Sequence, residues 1–219
     1  MGGTMKKGQP AKRRPGTRGR VGNAGERRAA VKRETKETCV EAVVVIDGRG
    51  SYDVQTGVPF LNHMLELFAR HGFFDLTVRA SGDVEVDDHH TVEDVGLALG
   101  QAFREALATK EGIRRFGEAT VPLDEALVQV VVDLSGRPFL GYEIKTRQSR
   151  VGQFDVELVH DFLLALVNQL GMNLHVRMLA GRNPHHIVEA CFKGFARALD
   201  LATQRDPRVT GVLSTKGSL

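Results

Sequence analysis

No stretch of about 18 consecutive apolar residues, the length that crosses a bilayer as a helix, occurs in this 219-residue chain. The N-terminus also lacks the apolar core of about 7–15 residues that a secretory signal carries, so the expectation is a cytoplasmic protein with no membrane partner. Cysteine is nearly absent: Cys39 and Cys191 stand alone, one in a strand-like run and one in a helix-like run. That speaks against a disulfide framework and against a thiolate zinc site, and leaves two ordinary buried thiols. Residues 1–30 contain no Phe, Tyr, Trp, Ile or Leu, yet hold nine Lys or Arg against one acid, Glu26. The segment is therefore +8, and with the whole chain at +3 the remainder is −5. So much charge with so little to bury reads as a disordered basic tail over residues 1–31, and the pI near 9.0 belongs to the tail rather than to the fold. A basic arm can serve as a polyanion-binding or targeting segment. Here no aromatics interleave the cations and the serines of transit peptides are missing, so a solvated tail, or a start placed too early, is expected, without a nucleic-acid partner.

What remains is an ordinary globular composition, 42% hydrophobic and 26% charged, long enough to bury a sizeable core. The pattern from residue 32 onward runs twice through similar elements. CVEAVVVID (39–47) is strand-like, PFLNHMLELFARHG (59–72) helical, FDLTVRA a strand, and HHTVEDVGLALGQAFREAL a helix whose Val95, Leu99, Phe103 and Ala106 recur at helical spacing. The second pass offers ALVQVVVDLSGRP as strand and turn, VGQFDVELVHDFLLALVNQLG as helix, NLHVRML as strand and HHIVEACFKGFARALDLAT as helix. A repeat of this size predicts an α+β fold of two tandem half-domains of like topology, each a sheet packed against helices, over residues 32–122 and 123–219.

The same five-residue pattern opens the last helix of each pass: HHTVE, with His89, His90 and Glu93, and HHIVE, with His185, His186 and Glu189. Residues four apart share a helix face, so His89 converges with Glu93 and His185 with Glu189. The adjacent His90 and His186 point about 100° away. One ion cannot easily take both neighbouring imidazoles, and the economical arrangement is two metals, each helix giving a His and a Glu to one and its second His to the other. Imidazole and carboxylate without thiolate suit Mn, Fe or Zn, with octahedral Mn favoured as carboxylates and open positions increase. A single HHxxE is equally well a polar pair at a helix start; two at equivalent places in a duplicated chain are not.

RETKETCVEAVVVIDGRG, TGVPFLNHMLELFARHG, GDVEVDDHHTVEDVGLALGQA, DLSGRPF, LHVRMLAGRNPHHIVEACFKGFARAL and the terminal STKGSL, in that order over residues 32–219, together resemble the imidazoleglycerol-phosphate dehydratases of histidine biosynthesis. The resemblance implies a ribosomal S5 domain 2-like fold and two Mn2+ per active site. It adds to the doubled motif one metal ligand from each earlier helix, His63 of NHML and, in the second half, Asp161, where the family pattern has His or Glu and where His160 is the neighbouring alternative. It further implies a homo-oligomer of 24 subunits with active sites at subunit boundaries.

The same resemblance assigns the substrate side. Arg115, Arg137, Lys193, Ser214 and Lys216 match substrate and phosphate positions, His71 another substrate-side position, and His63 and His89 contact substrate as well as metal. A His before Gly at a helix end is otherwise a C-terminal cap, which stays open for His71. Glu37 of KET matches the glutamate placed near the reacting carbons and is the expected general acid/base, with Glu93 and Glu189 as further catalytic carboxylates. The implied reaction is metal-dependent dehydration of D-erythro-imidazoleglycerol phosphate to imidazole-acetol phosphate. The proton removed lies on a carbon with no adjacent carbonyl, so the imidazole ring has to act as the electron sink. A dinuclear metallohydrolase acting on a phosphorylated small molecule is the alternative; the metal-bridging aspartate-rich motif it would need is not found outside HHxxE.

Overall fold

The computed structural model describes residues 1–2, 26–217 and 219. The first half contributes strands β1 (Arg28–Glu34), β2 (Thr38–Val45), β3 (Tyr52–Gln55) and β4 (Asp75–Gly82), with helices α1 (Pro59–Gly72) and α2 (His89–Leu107). The second contributes β5 (Phe116–Leu123), β6 (Ala126–Asp133), β7 (Phe139–Glu143) and β10 (Asn173–Ala180), with α3 (Leu158–Leu170) and α4 (Pro184–Thr203). The sheets have the same order, β1-β2-β4-β3 and β5-β6-β10-β7. In each, the third strand runs antiparallel to its inner neighbour and parallel to the edge strand. This is the duplicated α+β fold that the repeat predicts.

The register makes the duplication quantitative. Val45 pairs with Arg28 and Asp75, as Asp133 pairs with Phe116 and Asn173. The alternating strands β2 and β6 turn Val40, Ala42 and Val44, and Val128, Val130 and Val132, into the interior, all at 0% exposure. Helix α2 lies on β1 and β2, and α4 on β5 and β6, while across the middle α1 packs on α4 and α2 on α3. Helices of one half thus face helices of the other, and a single hydrophobic core runs through both. Val95, Leu99, Phe103 and Ala106 all lie in it.

Close approach of helices shapes several positions. A Cβ on Gly96 would stand 2.6 Å from the carbonyl oxygen of Phe162, and one on Gly100 2.5 Å from that of Leu166, so α2 meets α3 backbone to backbone. Gly72 also serves close packing rather than a turn: its Cβ would strike the Phe74 ring at 2.5 Å, and it is Phe73 that takes the left-handed conformation after α1, with φ 57°.

Several expectations are corrected. Strand β1 already occupies the end of the tail expected over residues 1–31, because it pairs along β2 and buries Ala29 and Val31 beneath its charged outer face. The remainder of the expected tail, residues 3–25, lies outside the described residues. The second half opens earlier than residue 123, since β5 already belongs to the second sheet. The predicted helix over 151–171 is a small hairpin, β8 (Arg150–Val151) and β9 (Phe154–Asp155), turning at Gly152 with φ 61°, before α3 starts at Leu158. Cys191 is fully buried, its thiol pushed up to about 12 by that burial, but Cys39 is only half-buried.

Candidate active site

Two pairs of facing helices bring the motif residues into two groups. In the first, α1 presents His63 to the start of α4. His63 Nε2 lies 3.4 Å from Glu189 Oε2, and His185 Nε2 lies 3.2 Å from the same oxygen. One ligand atom from each of the three falls within 4.8 Å of the others. Asn183 begins α4 by accepting from the His185 N–H, and Pro184 at the first turn has no donor to leave unsatisfied, which seats His185 at the helix mouth. Phe60 covers the His185 ring edge-on at 5.3 Å. Lys193, one turn further along α4, pairs with Glu189 at 2.6 Å. Burial would raise the Glu189 carboxyl, but Lys193, His185 and His63 together hold it below the usual range, so it stands as a carboxylate.

In the second group, α2 presents His89 to α3. His89 Nδ1 lies 3.6 Å from Asp161 Oδ2, and the other Asp161 oxygen lies 3.1 Å from His160 Nδ1. Of the two candidates on α3, Asp161 faces His89, while the His160 ring packs against Tyr142 at 5.5 Å. An open cleft of about 570 Å³ adjoins the pair, lined among others by Asp87, Asp88, Arg150 and Asp155.

The i,i+4 pair closes only once. His185 reaches Glu189, but Glu93 is exposed and, among the described residues, makes no hydrogen bond or ion pair with His89, which instead turns across to Asp161. The second histidines do leave their helices in another direction, and each is met by a carboxylate the sequence reading missed. His90 Nδ1 lies 3.0 Å from Asp83 Oδ2, and His186 Nδ1 lies 2.8 Å from Glu125 Oε2. Glu125 also accepts from the N–H groups of Arg182 and Asn183. The contact with His186, followed by these backbone donors, takes its carboxyl down to about 2. His90 is raised by its contact with Asp83, with Glu37 adding to the field, and His186 by its contact with Glu125. In both rings Nδ1 is held by a carboxylate, and His186 Nε2 also lies 3.9 Å from Asp124 Oδ2.

The expected substrate groups fall elsewhere. Arg115, Arg137, Ser214 and Lys216 line a cleft of about 710 Å³ beneath the C-terminal segment, which includes none of the histidines. Arg115 is fixed there by two bonds to Asp133, at 2.7 and 3.1 Å, and donates to the Leu213 carbonyl at 2.7 Å. Lys193 lies with the first histidine group. His71 lies in the last turn of α1 and is held below the ordinary histidine value by burial and then by the nearby Lys193 and Arg197. Glu37 sits exposed in the turn between β1 and β2.

The family model for imidazoleglycerol-phosphate dehydratase matches residues 56–199. Imidazoleglycerol-phosphate dehydratases from Geobacter sulfurreducens and from a Geobacillus species are each 58% identical over 193 residues, 88% of this chain and 99% of theirs. Among solved structures, the enzyme from Staphylococcus aureus superimposes with a TM-score of 0.75 at 37% identity, covering 82% of this chain and 99% of its own. That from Pyrococcus furiosus does so with a TM-score of 0.75 at 38% identity, covering 86% and 100%. No helix among the described residues is long and apolar enough to cross a membrane. Matched through both of its halves and both histidine motifs, the chain belongs to the imidazoleglycerol-phosphate dehydratase family.

Proposed function

We propose that this chain dehydrates D-erythro-imidazoleglycerol phosphate to imidazole-acetol phosphate, a step of histidine biosynthesis, with two Mn2+ per active site, in the cytoplasm. The observation that carries the metal is the convergence of His63, His185 and Glu189. One ligand atom from each lies within 4.8 Å of the others, so these three residues would hold one ion between α1 and α4. The donor chemistry fits: two imidazoles, a carboxylate held ionised and no thiolate. His89 and Asp161, with Glu93 nearby on α2, would form part of a second set, and His90 and His186 would each offer Nε2.

Bound metal would supply Lewis-acid polarisation of the substrate's imidazole nitrogens. The rest falls to the protein. Arg115, Arg137, Ser214 and Lys216 offer cations and hydroxyls suited to the phosphate. Glu37, whose carboxylate has no hydrogen-bond partner among the described residues, would accept the proton from the carbon next to the one that loses hydroxide. It would then return a proton as the enol becomes the ketone. Within one chain the phosphate cleft and the histidine groups are lined by different residues, and among the described residues His186 Nε2 has only the Asp124 carboxylate beside it, at 3.9 Å. Both facts support sites completed between copies, in the 24-subunit homo-oligomer that the family resemblance implies.

The test is to supply the substrate to manganese-loaded and to chelator-stripped protein. Appearance of the ketone only with metal supports the reading. Release of inorganic phosphate instead would identify a metallohydrolase. Replacing His90 or His186 by Ala is expected to abolish turnover with the subunit fold intact.

A further inference from the structure

The duplication provides an internal control on which residues the fold itself requires. Both halves open with a hairpin closed by a two-residue turn, Lys36–Glu37 in the first and Asp124–Glu125 in the second. The Thr35 N–H donates to Thr38 O where Leu123 pairs with Ala126. Glu37 and Glu125 therefore occupy the same position. Their surroundings differ. Glu125 is committed to His186 and to the backbone entering α4. In the first half Asp83 has taken over the equivalent histidine, His90, and the Glu37 carboxylate is released.

A released side chain on a turn needs the turn held by something else, and a polar network found only in the first half does so. Thr35 Oγ1 accepts from the N–H groups of Glu37 and Thr38, at 3.2 and 3.0 Å. The Thr38 hydroxyl donates to Asp94, whose other oxygen accepts from Arg33 Nε at 2.8 Å. Asp94 follows Glu93 in the first histidine motif and is 7% exposed, so a carboxylate has been placed in the interface of helix and sheet, where it is costly unless paired. In the second half the corresponding positions are Leu123 for Thr35, Ala126 for Thr38, Val121 for Arg33 and Ala190 for Asp94. The architecture closes with apolar residues at all four places. The polar set is present only where the turn carries a free glutamate.

We propose that Asp94 is a positioning residue for the dehydration: through Thr38 and Arg33 it fixes the turn that presents Glu37 to the substrate. This rests on the assignment of Glu37 as the acid/base. The experiment compares Asp94→Ala, Thr38→Ala, Asp94→Asn, Glu37→Gln and the double variant Glu37→Gln/Asp94→Ala. It reads kcat, KM, thermal midpoint and bound manganese per subunit. Asp94→Ala and Thr38→Ala each install the residue already used in the other half. Each is expected to lower kcat about 10–100-fold, the scale of a misplaced group, with KM and bound manganese unchanged. Asp94→Asn keeps an acceptor for the Thr38 hydroxyl and should recover much of the rate. In the Glu37→Gln background Asp94→Ala should cost nothing more, since the effect passes through Glu37. Wild-type kcat in Asp94→Ala and Thr38→Ala, with Glu37→Gln impaired, overturns the proposal alone. So does a loss that adds fully to that of Glu37→Gln, because it marks a structural role. Should Asp94→Ala fail to fold, Thr38→Ala, which deletes one hydroxyl, decides. Wild-type turnover by Glu37→Gln removes the acid/base assignment itself and the proposal with it.

Discussion

Glu125 Oε2 lies 2.8 Å from Nδ1 of His186, and that contact determines which ring nitrogen is available to a ligand. A carboxylate on Nδ1 fixes the tautomer with Nε2 free and raises its basicity. Glu125→Gln keeps the shape but offers an amide that can present either N or O to the ring. Metal affinity is expected to fall about 10–100-fold, as for other residues that orient a ligand, with the overall fold retained. Metal titration of the variant beside wild type checks this.

The same contact sets a pH dependence in metal-free protein. His186 is raised from its ordinary 6.5, so its contribution is complete below that value and is lost as pH rises through the raised value. Glu125 is lowered from 4.5 to about 2, so its contribution is complete above 4.5 and is lost as pH falls towards 2. The melting temperature of wild type relative to Glu125→Gln should therefore be highest between 4.5 and 6.5 and decline on both sides. A difference that does not vary with pH would mean the pair is not ionised. Manganese should bind more weakly as pH falls, since the imidazole has to be neutral to ligate.

Helices α2 and α3 hold His89 against Asp161 by approaching at Gly96 and Gly100. Alanine there would gain up to about 1 kcal/mol of helix propensity. The obstructing atoms are backbone carbonyls, at 2.6 and 2.5 Å, which cannot rotate away. Overpacking of this kind costs about 1–3 kcal/mol, so the clash prevails. Gly96→Ala and Gly100→Ala are expected to lower the melting temperature and to weaken metal binding at the His89 group, measured by thermal unfolding and metal titration.

Much of this was legible in the chain itself, for identifiable reasons. Helices α1 and α2 are marked by Leu61, Leu65 and Phe68 and by Val95, Leu99 and Phe103, large residues at the spacing of one helix face. Strand β1 is not, because only Ala29 and Val31 turn inward beneath a run of charges, and nothing separates the β8–β9 hairpin from the helix after it because VGQFDVELV is apolar without a clear period. At the site, doubling exposed the histidines. Asp83 and Glu125 are tertiary contacts with no spacing to reveal them, although aligning the two halves on their strands would have placed Glu125 opposite Glu37. The grouping of Arg115 with Ser214 and Lys216 came only from the family resemblance, since an arginine and a distant C-terminal loop carry no local signal.

The start of β1 alters what a truncation should do. Deleting residues 1–25 is expected to leave kcat and KM unchanged, since no assigned site residue lies there. Deleting residues 1–31 is not equivalent. It removes Arg27, which bonds Asp47 at 2.8 Å and donates to the Thr203 carbonyl, together with the buried Ala29 and Val31. Losing the burial of Val31 alone costs at least about 1.5 kcal/mol, or roughly 3–6 °C in a domain of this size. Thermal melts of both truncations, with kinetics, separate the two; a loss of rate in the shorter deletion would give the basic segment a working role.

Asp161 is the proposed ligand at which this chain departs from the pattern that the family resemblance implies, and its geometry makes a definite prediction. Its two oxygens face His89 and His160 at 3.6 and 3.1 Å, so it sits between the candidate ligand and the alternative. A carboxylate brings a negative charge where an imidazole is neutral, and it is a harder donor. The second metal set should therefore favour Mn over softer ions more strongly than a relative with His at this place. Asp161→His is expected to stay active while shifting preference towards softer ions such as Zn, and Asp161→Ala to lose one metal while the group of His63, His185 and Glu189 keeps the other. His160→Ala should retain both, because its ring meets the first carboxylate oxygen from the side of Tyr142 and does not face His89. Counting bound ions in the three variants decides the assignment: full occupancy in Asp161→Ala together with loss of one ion in His160→Ala would move the ligand to His160.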